Sequence, residues 1–166
     1  MSLTPTFIKT HGMTLSLRDI TQAYTHSETI LDRLVLIKLF VELKNKYPEG
    51  IIIRVIRPLY RITESGVYWW TTYQNHHRNL LDIITSSFDP YLLITDQAGE
   101  NGFGIVGMQT DDILILLTAT FSAKKKEKLK EAKFRTKLKT ILTKNTSLDF
   151  NGARLCYDGN GLFLLL

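Results

Sequence analysis

Two apolar runs separated by four polar residues constrain the fold of this chain more than any other feature. Residues 103–108 and 113–117 flank the segment Gln109-Thr110-Asp111-Asp112. Apolar runs of this length around a short polar segment predict a β-hairpin. Asp-Asp suits a tight turn poorly, and adjacent carboxylates repel each other. The pair therefore indicates either a compensating divalent cation or an ordinary exposed acidic turn.

The remaining hydrophobic pattern predicts strands and helices in the order β, β, α, β, β, α, β. This mixed order, with a hairpin of adjacent strands, favours the α+β class over a doubly wound parallel sheet. Further strands are predicted at residues 13–20, 34–39, 51–56, 91–95, 147–150, 154–157 and 162–166. Helices are predicted at residues 41–46, 65–83 and 122–142.

The two long predicted helices are amphipathic. In the first, the spacing predicts an apolar face with Asn and His on the wetter side, and Trp70 half-exposed beside a buried Trp69. That apolar face comprises Trp69, Tyr73, Leu80 and Ile84. The second is predicted to bury a stripe of Leu129, Ala132, Phe134 and Leu138.

Positive charge is concentrated in residues 122–144. This stretch carries ten basic and two acidic residues in a chain whose formal net charge is +5. A basic face is compatible with a polyanionic partner, and equally with a solvated helix that keeps the chain soluble. For the first alternative, the candidate nucleic-acid contacts are Lys124, Lys125, Lys126, Lys128 and Lys130.

Composition excludes several classes of protein. A single cysteine, Cys156, excludes an internal disulfide framework and a zinc site built from cysteines. No apolar run is long enough to span a bilayer, and residues 1–10 lack the pattern of a secretory signal. We therefore expect an intracellular protein, cytoplasmic or nuclear, with no membrane partner.

Asp19 lies at the end of the first predicted strand. Taken alone, such an aspartate is more often a helix cap or a turn former. If its strand lies beside the hairpin, Asp19, Asp111 and Asp112 form a set of three carboxylates. Such a set can hold two Mg²⁺ ions for phosphoryl transfer.

Several segments resemble the motifs of copia-type retrotransposon reverse transcriptases, in the same order along nearly the whole chain. Asp19 with Ala23-Tyr24 is similar to motif A, and residues 57–69 (Arg-Pro-Leu-Tyr onward) to the motif B region. Ser-Phe-Asp-Pro-Tyr-Leu-Leu at 87–93 resembles the segment before motif C, and Gly-Met-Gln-Thr-Asp-Asp at 107–112 resembles motif C of the fungal copia-like branch. Phe-Asn-Gly at 150–152 resembles the segment after the last palm helix.

This resemblance implies a polymerase palm: an antiparallel sheet with split βαβ character, backed by helices and spanning residues 1–166. It implies RNA-directed DNA synthesis from deoxynucleoside triphosphates on an RNA template and DNA primer. Asp19, Asp111 and Asp112 would be the catalytic ligands of two Mg²⁺ ions, with Mn²⁺ as an alternative. A parent element of this family would carry the chain into a virus-like particle.

The resemblance also implies roles around the carboxylates, with some departures. Tyr24 matches the sugar gate, Gln109 and Thr110 abut the primer end, and Arg61 lies in the loop that touches template and incoming nucleotide. Gln-Thr stands where Tyr-Val is usual, Arg61 where a glycine is usual, and Phe40 where a proline is expected.

The fingers, thumb and ribonuclease H regions of the family's polyprotein have no counterpart in this sequence. We therefore expect a palm fragment that is inactive without these subdomains. The alternative is a vestigial, non-catalytic nucleic-acid-binding domain derived from a retrotransposon. A third alternative is a structural domain whose basic helix binds nothing.

Two further patterns predict no site. Residues 102–107 match Gly-x-Gly-x-x-Gly, but they continue into β-branched residues instead of opening a helix, so they do not indicate a dinucleotide loop. His76 and His77 are adjacent in a predicted helix and point about 100° apart, which is poor geometry for chelating a metal.

Overall fold

The computed structural model describes residues 4–95, 102–159 and 161–165. The chain divides into two compact units. The larger unit comprises Met1–Ala23 and Tyr73–Leu166, and the smaller unit is Tyr24–Thr72. Each unit is described below by itself.

The described residues form three α-helices, two short 3-10 helices and eleven strands. The α-helices are α1 (Thr4–His11), α2 (Ser65–Leu81) and α3 (Ala119–Glu131), and the 3-10 helices are Ala23–His26 and Val41–Lys46. The first strands are β1 (Thr14–Asp19), β2 (Val35–Lys38), β3 (Ile52–Val55), β4 (Ile83–Thr85), β5 (Leu92–Thr95), β6 (Gly104–Gln109) and β7 (Asp112–Leu117). The last are β8 (Thr140–Ile141), β9 (Leu148–Phe150), β10 (Ala153–Tyr157) and β11 (Leu162–Leu165).

A six-stranded antiparallel sheet organises the larger unit, in the order β4-β5-β6-β7-β1-β8. The predicted hairpin is β6-β7, and β1 pairs with β7 along its whole length. Strands β1 and β6 therefore run in the same direction with β7 between them. The α+β class and the antiparallel sheet are confirmed.

One side of this sheet is covered by α3. The alternating residues Ile113, Ile115 and Leu117 of β7 are buried on this side, as is Phe121 of α3. A Cβ built on Gly104 would lie 2.7 Å from Phe121 and Leu117 side-chain carbons. The glycine therefore lets the helix approach β6 closely.

The other side of the sheet faces a second, three-stranded sheet with the order β11-β10-β9. The apolar core that the two sheets share consists of Met13, Leu15, Leu114, Leu116, Leu142, Leu148 and Leu155. Because successive side chains of a strand point to opposite faces, β7 supplies apolar residues to both cores. This explains why residues 113–117 form a continuous apolar run and do not alternate.

Helix α3 is shorter than predicted, because it ends at Glu131 and not at residue 142. Thr118 caps its start by accepting a hydrogen bond from the Phe121 backbone N–H. After Ala132, Lys133 adopts φ 57°, a left-handed conformation that glycine usually supplies at a helix end. Leu138, predicted in the apolar stripe, is 95% exposed.

Helix α2 matches its predicted position but not its predicted faces. It ends at Leu81, where Asp82 has φ 53°, and the next residues form β4. Both His76 and His77 are buried, as are both Trp69 and Trp70, whereas Leu80 and Ile84 are exposed. The prediction of a wet histidine face and a half-exposed Trp70 was wrong, because this helix is covered on more than one side.

The smaller unit contains a two-stranded antiparallel sheet, β2-β3. The short helix predicted at residues 41–46 is a 3-10 helix. The start of α2 is fixed by Ser65, whose hydroxyl donates to the Leu59 carbonyl oxygen at 2.7 Å. Of the last predicted strand, residue 166 lies outside the described residues.

Candidate functional site

Asp19 and Asp112 lie opposite each other on neighbouring strands. The register of β1 and β7 pairs Thr14 with Leu117 at one end and Asp19 with Asp112 at the other. Directly opposed residues of an antiparallel pair have Cβ atoms about 4.5–5.5 Å apart. The prediction that the Asp19 strand lies beside the hairpin is confirmed.

The hairpin turn differs by one residue from the turn assumed in the sequence analysis. Gln109 pairs with Asp112, so the two central residues are Thr110 and Asp111, not the aspartate pair. Thr110 has φ 57°, the left-handed conformation that such a turn demands. The Asp111 carbonyl oxygen accepts from the Ile20 backbone N–H at 3.0 Å, which ties the turn to the end of β1.

A lysine joins this carboxylate cluster, which we define as Asp19, Asp111, Asp112 and Lys137. The Lys137 ammonium donates to Asp19 Oδ2 at 2.8 Å. The backbone holds the lysine in place, because Lys137 N–H also donates to the Asp19 carbonyl oxygen at 3.0 Å. No sequence pattern indicated this residue, since the contact joins positions 118 apart in the chain.

The electrostatics of the cluster are uneven. Burial, followed by the charges of Asp111 and Asp19, raises the pKa of Asp112, while Lys137 opposes the shift. The hydrogen bond to Asp19, supported by the three negative charges, raises the pKa of Lys137. The cluster thus contains three carboxylates and one ammonium, and the surroundings of Asp112 disfavour its charged form.

The cluster meets the chemical requirement for Mg²⁺ but does not present a complete ligand set. Carboxylate oxygens are the hard donors that Mg²⁺ prefers. Among the described residues, however, no three acidic, histidine or cysteine side chains converge closely enough to hold a metal ion. The Lys137 ammonium occupies Oδ2 of Asp19, so an ion binding this carboxylate would either use Oδ1 or displace the ammonium.

The residues predicted to contact substrate fall in both units. Gln109 and Thr110 are exposed at the hairpin beside the carboxylates. In the smaller unit, the Tyr24 and Tyr60 rings lie 4.5 Å apart, and Arg61 lines a groove of about 510 Å³ with Arg33, Phe40 and Tyr60. Arg61 has φ 72°, a conformation that costs an arginine more than a glycine.

The predicted nucleic-acid lysines do not form one surface. Lys126 and Lys130 are exposed and Lys124 and Lys128 are half-buried, but Lys125 is only 2% exposed. Phe121, Lys125 and Leu129 recur every four residues and form the buried face of α3. Lys125 is therefore not a nucleic-acid contact. Its position four residues from both Phe121 and Leu129 could have indicated in the sequence that it lies on the buried face.

Lys125 instead belongs to a buried base cluster with Tyr73 and His77 of α2. Its ammonium nitrogen donates to the Tyr73 hydroxyl at 2.8 Å and contacts His77 Nε2. His77 Nδ1 lies 2.9 Å from the Tyr73 carbonyl oxygen, which can only accept, so Nδ1 carries the proton and Nε2 accepts from Lys125. Burial lowers the pKa of both Lys125 and His77 well below their usual values.

The two sequence patterns set aside earlier have structural explanations. Gly102 has φ 80° and lies against Thr118, and Gly104 makes room for Phe121, so these glycines serve the packing of β6 against α3. The His76 and His77 rings lie 5.3 Å apart in an edge-on arrangement. Both histidines are part of the interior of the larger unit.

Comparison with protein-family models found no match to this chain. No curated protein and no solved structure matches it either. Within the described residues, no helix is both long enough and apolar enough to cross a membrane. The geometry of the site is therefore the basis for any assignment of function.

Proposed function

We propose that this chain is the palm of an RNA-directed DNA polymerase of the copia type, in which Asp19, Asp111 and Asp112 serve nucleotidyl transfer. The observation that carries the proposal is the β1-β7 register, which sets Asp19 against Asp112 beside the turn residue Asp111. The sequence motifs support it, as does the strand order that places β7 between β1 and β6.

Mg²⁺, when bound, would stabilise charge on the oxygens exchanged in phosphoryl transfer. The chain's own residues would contribute the carboxylate oxygens at the end of the sheet. Lys137 would hold Asp19 in place until the ion arrives. Tyr24, Gln109, Thr110 and Arg61 are the proposed contacts to nucleotide, primer and template.

The test is binding of Mn²⁺, followed by electron paramagnetic resonance. We expect weak, saturable binding that falls in Asp19→Asn and Asp112→Asn. Glu127→Gln is the matched control, because it removes one carboxylate charge from the exposed face of α3. Equal binding by all four proteins, or no binding by any, contradicts the proposed metal site.

The second candidate is a non-catalytic nucleic-acid-binding domain, and the exposed lysines of α3 favour it. Lys126 and Lys130 remain accessible although Lys125 does not. Binding to an RNA–DNA hybrid that weakens steeply with salt, without any Mn²⁺ binding, would support this candidate over the polymerase. Changing Lys126 and Lys130 to Gln should weaken that binding. Lys125 is left unchanged in this test because it is buried.

A further inference from the structure

A pair of cations without a counter-ion lies on the helix-covered side of the sheet, away from the carboxylate cluster. Strand β8 pairs with β1 so that Leu17 opposes Thr140 and Ser16 opposes Ile141. Arg18 and Lys139 are the next residues of the two segments on the side toward the bridge between Ile20 and Thr136, which is offset by one residue. Two cations on neighbouring segments repel each other.

Both cations face the helices. Arg18 is paired with the buried Ile113 across β7, and the Lys139 ammonium donates to the Ser122 hydroxyl of α3 at 3.3 Å. Asp19, the next residue of β1, projects from the opposite face by strand alternation and is engaged by Lys137. The nearest carboxylate in sequence is therefore not available to Arg18.

No acid compensates this pair within the part of the chain that the structure describes. None of the ion pairs between described residues includes Arg18 or Lys139. Arg18 Nε is buried and has no hydrogen-bond partner. The charge of Arg18 also lowers the pKa of both Lys139 and the underlying Lys125, after burial as the larger cause.

We propose that Arg18, Lys139 and Ser122 form a binding site for a phosphate group. An arginine fork, an ammonium and a hydroxyl are the donors that recognise phosphate oxygens. A bound phosphate would give Arg18 Nε the acceptor it lacks and would offset the repulsion between the two cations. The site does not depend on the carboxylate cluster or on metal binding.

The first experiment is a titration with inorganic phosphate, by calorimetry, at constant ionic strength set with chloride. We expect saturable binding that weakens about tenfold in Lys139→Gln, the change that corresponds to about 1.4 kcal/mol. Arg18→Gln should weaken it at least as much. Lys9→Gln, which removes an exposed charge from α1, should leave it unchanged.

A second measurement does not require the ligand. In phosphate-free buffer, Lys139→Gln should raise the melting temperature, because it removes the repulsion across the β1-β8 edge. Lys9→Gln should not. Should Arg18→Gln prevent folding, the Lys139→Gln and Lys9→Gln pair still decides the question.

The phosphate could be free or part of a nucleic-acid backbone, and a short oligodeoxythymidine distinguishes the two. Oligonucleotide binding that is lost in Lys139→Gln and displaced by inorganic phosphate identifies a backbone phosphodiester. Saturation by inorganic phosphate alone identifies the free anion. Absence of saturable binding by both ligands, or equal weakening in Lys9→Gln, overturns the proposal.

Discussion

The larger unit contains two clusters of ionisable side chains that differ in their exposure to water. The carboxylate cluster lies at the end of the sheet, where the Lys137 side chain is 65% exposed. The base cluster of Tyr73, His77 and Lys125 is buried between α2 and α3, and Lys125 is 2% exposed. Water screens the charges of the first cluster, whereas burial disfavours the charged forms of Lys125 and His77 in the second and lowers the pKa of both.

Because of this difference, the carboxylate cluster can exchange its lysine for another partner, whereas the base cluster stabilises the fold. Lys137 can leave Asp19 at little cost, because an exposed ion pair contributes little to stability. Lys125 cannot leave its partners without abandoning a buried tyrosine hydroxyl and a buried imidazole nitrogen. We therefore expect substitutions in the base cluster to affect folding and substitutions in the carboxylate cluster to affect binding.

The largest effect is expected for Lys125→Ala, measured as the free energy of unfolding in urea. Loss of the side chain leaves a cavity and removes the contacts of Lys125 with the Tyr73 hydroxyl and His77 Nε2, so we expect destabilisation by roughly 2–4 kcal/mol. Lys126→Ala, its exposed neighbour, should change stability by less than about 0.5 kcal/mol. Similar losses in the two variants would show that Lys125 is not part of the core.

The second-largest effect is expected on the stability of the chain in acid. Burial, reinforced by the charge of Lys125, lowers the pKa of His76 to about 4, and that of His77 falls well below its usual value. The unfolded chain then binds more protons than the folded one, so stability is present above about pH 6.5 and is lost as the pH falls toward 4. We expect a loss of about 1–3 kcal/mol across this range, since one pKa unit corresponds to about 1.36 kcal/mol.

Urea unfolding of wild type and His76→Gln at several pH values measures this dependence. The variant should lose less stability between pH 6.5 and 4. His11→Gln, which alters an exposed histidine, is the control and should behave as wild type. An unchanged dependence in His76→Gln would remove this histidine from the explanation.

The smallest effect is expected for Asp112→Asn. Unlike most substitutions, it should increase the free energy of unfolding. Because the pKa of Asp112 is raised, the folded state holds this proton more tightly than the unfolded state, and stability falls as the pH rises above the usual aspartate value. Asp112→Asn should therefore stabilise the chain at pH 7. We expect a gain of about 0.3–1 kcal/mol, reduced by the partial exposure of the site.

Thermal unfolding at pH 7 tests this gain against Glu127→Gln, which should be neutral. The same Asp112→Asn protein should bind Mn²⁺ more weakly, so stability and binding should change in opposite directions. Destabilisation by Asp112→Asn would mean that the carboxylate cluster is structural and resembles the base cluster more than we infer.

Much of the sheet could be predicted because its pattern is local. The apolar runs around Gln109–Asp112 specified a hairpin, and the alternation before Asp19 specified β1. Helix ends were predicted less well. Both α2 and α3 end at residues with left-handed φ that are not glycine, Asp82 and Lys133, so the sequence lacks the usual signal there.

The sequence alone determined the α+β class, the hairpin and the presence of three aspartates at strand ends or in the hairpin turn, since hydrophobic periodicity and turn chemistry act over a few residues. Tertiary structure decided which side chains meet. It placed Lys137 on Asp19, buried Lys125 against His77, and brought Lys139 to the Ser122 hydroxyl. These contacts depend on strand register and on helix packing between segments that are distant in the sequence. Burial and charge act on them together, and no local sequence pattern encodes them.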